Sequence, residues 1–276
     1  DGTVGRDISA EVAVYGYRAE LKELVGEVAS GLVRGSADLD ATGLSRFLGG
    51  SVTATDIDIS ELAGAAGAGE VPSRGKLAGH YEFEMAQADL GSMTGGGMVV
   101  MNDADFSVIP VLPAIFNGLG ISGIDPLKLS DGEATFETAG PVVTIQKGHL
   151  ANMVSAIEIE QGSQVNIKER TVDGYVVGVP LKGVKSLAEK IPVVQMFVSI
   201  REKLTRLRVK GKWSDAHASL ISKEPLNDVR EATLGFVLEA ARTGGNFAES
   251  MISGLRSLVG NKGERDGGSG AVEAGD

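Results

Sequence analysis

An alternation of apolar and polar side chains, carried through run after run, constrains this chain more than any other feature. It is clearest between Asp131 and Gly183. There Ile145, Leu150, Ile157, Ile159, Val165 and Ile167 are expected on one face, and Thr144, Gln146, Glu158, Glu160, Asn166 and Lys168 on the other. A period of two marks β-strands with one buried and one hydrated face. Ala139-Gly140-Pro141, Lys147-Gly148, Gln161-Gly162-Ser163 and Asp173-Gly174 divide the runs at short intervals, as the turns of an antiparallel meander do. The centre of the chain therefore reads as a meandering sheet with one greasy face and one wet face.

The same rhythm extends outward. Asp7 to Leu21, Gly35 to Thr42, Gly49 to Ile59 (with a bulge), Leu77 to Met85, Gly95 to Phe106 and Leu207 to Trp213 read as strands. Lys22 to Leu32 reads as a short helix weakened by Gly26 and Gly31. Ala63 to Gly69 reads as a small-residue linker. Val108 to Phe116 is a short apolar helix opened by prolines, a plug or end cap among strands. Lys185 to Lys203 suits a helix kinked at Pro192, and Asn227 to Arg242 repeats the helical spacing. In the last helix, Asn246 is an N-cap with Glu249 three residues on, and Phe247, Met251, Leu255, Leu258 and Val259 form one stripe ending at Gly260. From Asn261 onward the chain is polar, glycine-rich and expected to be disordered. The organisation expected is thus a β-domain over 1–224, amphipathic helices over 225–260 and a tail over 261–276.

Composition narrows the function classes. Thirty-nine glycines in 276 residues are about twice the ~7% usual in globular chains, which suits a sheet with many turns and bulges. A net charge of -11 argues against nucleic acid, whose affinity comes mostly from lysine and arginine neutralising phosphates. With no cysteine there is no disulfide frame or thiolate metal site. The chain begins at Asp1 without a basic leader, so a processed or truncated piece is expected, and no run approaches the ~18 apolar residues of a membrane span.

No set of residues composes an active site. His80, His149 and His217 have no second ligand at i+2 or i+4, so no metal site or catalytic histidine is expected. Ser253 lacks the first glycine of a nucleophile elbow. Asp56/Asp58 and Glu158/Glu160 fit the wet face of a sheet. Asn102-Asp103-Ala104-Asp105 lacks the glycine and terminal glutamate of a calcium loop. Gly118-Leu119-Gly120-Ile121-Ser122-Gly123 spells a dinucleotide fingerprint, but it follows a helix-like run, and Pro126 argues against the helix it would have to open. No cofactor is expected, and the chain does not read as an enzyme.

Three segments, Gly35 to Gly43, Gly95 to Phe106 with Ile109-Pro110, and Phe136 to Ile167, together resemble the AsmA-like family of bacterial envelope proteins, and Arg208 to Asp215 is similar to the final strand of that region. The likeness is one of cadence: glycine-punctuated strands, then a leucine-like residue and "Ile-Pro" leading into a small helix. It implies a mainly β fold, a strongly curved antiparallel meander forming a taco-like β-groove with a few short helices at its ends. It also implies a lipid-transfer role in the periplasm, with acyl lipid as ligand, the membrane surface or other envelope proteins as partners, and an inner-membrane anchor that this chain lacks.

Physical reasoning leads to the same fork independently. An apolar sheet face must be covered by another layer or serve as a binding surface. On alternation alone, a closed structural or adhesive β-sandwich with no lipid ligand fits as well as an open groove; the resemblance favours the groove. The residues expected to line it are Val99, Met101, Phe106, Val143, Ile145, Ile157, Ile159, Val165 and Ile167.

Overall fold

In the computed structural model, residues 5–42, 47–65, 75–86, 89–104, 115, 131–151, 155–180, 204–212, 215, 217–224, 236–237 and 255–256 are described. Their thirteen strands lie in one sheet: β1 (Gly5–Tyr15), β2 (Arg18–Val28), β3 (Gly31–Asp40), β4 (Phe47–Asp58), β5 (Lys76–Ala86), β6 (Thr94–Asn102), β7 (Asp131–Ala139), β8 (Val142–Ala151), β9 (Ser155–Ile159), β10 (Gln164–Asn166), β11 (Thr171–Pro180), β12 (Thr205–Lys212) and β13 (Ile221–Glu224). One short helix, α1 (Ile59–Ala65), follows β4. Spatial order follows chain order from β1 to β8, and all pairings are antiparallel. Between β8 and β11 the short strands β9 and β10 lie end to end, each pairing with both. The expected mainly β meander is the observed fold. An open twisted sheet of more than ~10 strands curls. Register shifts at Arg6/Ser9, Leu21/Leu24, Ala54/Ile57 and Thr135/Phe136 add the local bends that bulges impose.

The register makes the two faces explicit. One row crosses eleven strands as Val12, Leu21, Ala37, Gly50, Phe83, Gly95, Thr138, Val143, Val165, Val172 and Gly211, skipping only the offset β9 on its way from β1 to β12. A second row runs Gly26, Val33, Ala54, Gly79, Val99, Ala134, Gly148, Ile159, Val176 and Leu207. Paired residues share a face, so a nearly uninterrupted apolar surface runs across the strands. The opposite face carries cross-strand ion pairs, among them Lys22–Glu11 at 2.9 Å, Arg34–Glu23 at 3.3 Å and Arg206–Glu160 at 2.8 Å.

The structure overturns three local expectations. Lys22 to Leu32 is not helical: it forms most of β2, the turn at Ala29–Ser30 and the start of β3. Pairing on both sides of β2 outweighs a weak helical pattern already interrupted by glycine. Lys147-Gly148 and Asp173-Gly174 are not turns but lie within β8 and β11. Each glycine there admits a neighbour that a methyl group would displace. A Cβ on Gly148 would lie 2.9 Å from Ile159 Cβ, and one on Gly174 would lie 2.5 Å from the Ser163 side chain. The Gly140 and Gly162 turns, both with positive φ, are as expected. So is the bulge in β4, where Asp56 has φ 58°.

The main core forms where β8, β9, β11 and β12 converge: Leu150, Ile157, Val176, Leu207 and Val209 pack with Ala104 and Ile115 on the apolar face. Ile115, within the segment expected to be a plug helix, is helical and 5% exposed. Its neighbours from Val108 to Phe116 lie outside the described residues, as do the glycine motif at 118–123, the span 185–203 and the tail from Asn261. A smaller core on the opposite face joins Ala78 and Val100 to Leu255, a helical residue of the expected final stripe.

Candidate binding face

Between the open N-terminal strands and the sealed C-terminal core, the apolar face is floored by three aromatic rings. Phe83 and Tyr81 on β5 and Phe136 on β7 form one stack, with Tyr81 centred 5.9 Å from Phe83 and 6.0 Å from Phe136 and interplanar angles of 17° and 20°. The rings lie over a strip of glycine. A Cβ on Gly95 would come within 2.7 Å of the Tyr81 hydroxyl, one on Gly97 within 3.1 Å of both Tyr81 and Phe136, and one on Gly50 within 3.0 Å of Phe83. Glycine in β4 and β6 thus leaves room for rings from the flanking strands to lie across the sheet, the arrangement by which aromatics cover strand glycines. Tyr81 Oη is paired with Thr138 Oγ1 at 2.7 Å, which ties the polar tip of the stack to the sheet. The result is a smooth, half-buried apolar floor.

From this floor the face continues to β1 with little cover: Val12 is 58% exposed and Val14 68%. In the other direction it runs under Ile115, where Leu207 is fully buried. The surface is therefore open at one end and stoppered at the other.

Of the residues expected to line a groove, Val99, Met101, Val143, Ile145, Ile159 and Val165 are half-buried on this face. Ile157 shares the face but is 1% exposed within the main core, so it supports the floor rather than lining it. Ile167 is 59% exposed in the turn after β10, where its amide donates to the Pro141 carbonyl at 2.9 Å. It stands apart from the face because β10 ends at Asn166. Phe106 lies outside the described residues. Sequence reasoning missed Tyr81, Phe83 and Phe136. The available signal was the matched spacing of Tyr81-Glu82-Phe83 and Gly95-Gly96-Gly97, whose meaning appears only once register sets ring against glycine.

The opposite face carries the strongest electrostatic perturbation. Glu133 on β7 accepts hydrogen bonds from His149 Nδ1 at 3.2 Å and from Lys147 Nζ, both on β8. The His149 bond, reinforced by Lys147, outweighs burial and holds the Glu133 carboxyl down at about 2. The His149 ring stacks on Phe236, centroids 3.8 Å apart at 10°. Phe236 and Leu255 thus dock the C-terminal helical residues on the wet face, against β8 and against β5 and β6 respectively. Arg256 extends this docking with two bonds to the Asp56 carboxylate, at 2.5 and 3.1 Å. Asp58 is occupied by Ser60 and Lys76, and His80 by Thr53 and Glu82. Among the described residues no three His, Asp or Glu side chains cluster as metal ligands, and no helix is long and apolar enough to cross a membrane.

Comparison with known proteins finds no matching family model, no matching curated protein and no matching solved structure.

Proposed function

We propose that the protein is a non-enzymatic lipid-binding module that holds acyl chains on the apolar face of its sheet, in the manner of the AsmA-like envelope proteins its sequence resembles. The observation that carries this reading is the partly open apolar row with its aromatic floor on glycine. It supplies a smooth apolar track with few hydrogen-bonding groups, and an acyl chain requires no more than that. From β1 to β8, the strand of Ile145, the track spans seven strand spacings, about 34 Å at ~4.8 Å each. One leaflet of a ~30 Å hydrocarbon core is half that thickness, so the track accommodates about two chains end to end. At ~0.8 kcal/mol per buried CH₂, a chain is held without a fixed polar site. On this reading the protein works in the periplasm, attached to the inner membrane by a segment outside this chain, and serves outer-membrane lipid homeostasis.

The test is native mass spectrometry of the purified protein, together with a photoreactive fatty acid and the variant Ile145→Asp. Acyl lipid should co-purify, the probe should label residues of the face, and the half-buried Ile145→Asp should fold but lose lipid, because its carboxylate stays hydrated. Lipid-free protein, unlabelled by the probe and unfolded by Ile145→Asp, would instead make the face a structural core and the protein a scaffold.

A further inference from the structure

We propose that β1 is a docking edge through which two copies of this chain pair, antiparallel and centred on Val12, to join their sheets. Among the described residues β1 has one strand neighbour, β2, so its outer side presents unpaired backbone groups over an eleven-residue strand. Natural edges are usually blunted by shortness, lysine, proline or a bulge. The other edge obeys this rule: β13 has four residues and carries Lys223. β1 contains no lysine or proline, and its own bulge, at Asp7–Ile8 with Asp7 at φ 48°, lies near its start. The second β1–β2 irregularity places its extra residue, Lys22, on β2 and leaves β1 regular.

What remains is the regular stretch Ser9 to Tyr15, with Val12 at its midpoint. Antiparallel pairing of this stretch with itself sets Val12 against Val12, Ala10 against Val14, Glu11 against Ala13 and Ser9 against Tyr15. Apolar residues then meet apolar residues on one face, and Glu11 never directly faces its own copy. This self-complementarity points to a second copy rather than to an unrelated strand. The two-fold axis would run perpendicular to the sheet, so both apolar faces would fall on the same side and the exposed Val12 and Val14 would gain neighbours.

Because the chain contains no cysteine, the register can be read directly. In Val12→Cys the two thiols would sit across a strand pair, within the ~4.4–6.8 Å Cα separation that a disulfide accepts. In Val14→Cys they would be four residues out of register, beyond reach. We expect the wild-type chain to have twice the single-chain mass in light scattering. Val12→Cys should form an oxidised dimer at least tenfold faster than Val14→Cys, and Val12→Lys should be a monomer that still unfolds cooperatively, with a melting temperature that no longer rises with concentration. A wild-type monomer up to 100 μM, equal crosslinking of the two cysteine variants, or a dimeric Val12→Lys would each overturn the proposal.

Discussion

The first four strands and the last seven are parts of one sheet with the same alternation, yet they are stabilised in different ways. In β1 to β4 the only buried apolar residue within a strand is Ile57, and Ala29 adds a second at a turn. Backbone pairing and exposed ion pairs such as Lys22–Glu11 and Arg18–Asp40 hold the rest, and ion pairs in full contact with water contribute little. In β8 to β12 one stretch of the same face is sealed by Ile115 into a core with Leu150, Ile157, Leu207 and Val209 almost inaccessible, while Val143, Ile145, Ile159 and Val165 beside it stay half-buried. An alternating pattern therefore specifies which face is apolar without specifying whether anything covers it. A chain can keep one end of a face dry for its own stability and leave the other available.

Leu207→Ala should sharpen this contrast most. The fully buried side chain should leave a cavity and lower stability by about 2–5 kcal/mol in denaturant titration. A loss below 1 kcal/mol would mean that the C-terminal half is not sealed. Next comes Gly95→Val at the boundary between the regions. A Cβ there meets the Glu82 carbonyl at 2.4 Å and the Tyr81 ring, so the stack must shift, with an expected loss of about 1–3 kcal/mol and a changed near-ultraviolet tyrosine signal. An intact signal would mean that the rings do not lie across Gly95.

A smaller effect concerns pH. Glu133 is held near 2, below its ordinary 4.5, so its contribution to stability is fully present above 4.5 and is lost as pH falls through about 2. Melting temperature should fall across that window, and Glu133→Gln should flatten the decline. Identical slopes for the two proteins would exclude this group. The smallest change is expected at the open end, where Val14→Ala should alter stability by less than about 0.5 kcal/mol. A loss comparable to that at Leu207 would erase the distinction between the two regions.

The strands and the turns at Gly140 and Gly162 were legible because local alternation and turn chemistry agree there with the sheet. Lys22 to Leu32 was misread as helix because its periodicity is ambiguous, and only pairing with β1 and β3 resolves it. Gly148 and Gly174 resembled turns for a related reason: a glycine that admits a packed neighbour looks in sequence like one that turns the chain. The division of Ile157 from Ile145, one sealed and one half-exposed, was beyond reach, since it depends on where Ile115 comes to rest. The aromatic floor was hidden because only the register sets the rings of β5 and β7 against the glycines of β4 and β6.

The near-sequential strand order has a consequence for how the molecule forms. Each strand up to β8 pairs with the one made just before it, so strands can add in turn, most of them closing a short loop and only β4–β5 and β6–β7 a long one, as in proteins whose stability sums over neighbouring units. Growth of this kind needs a nucleus, and the sealed core at the C-terminal end is the natural one. The outer strands would then zip on toward β1 and peel away from it first. Hydrogen exchange should accordingly be slowest in β8 and β12 and quicken strand by strand toward the edge.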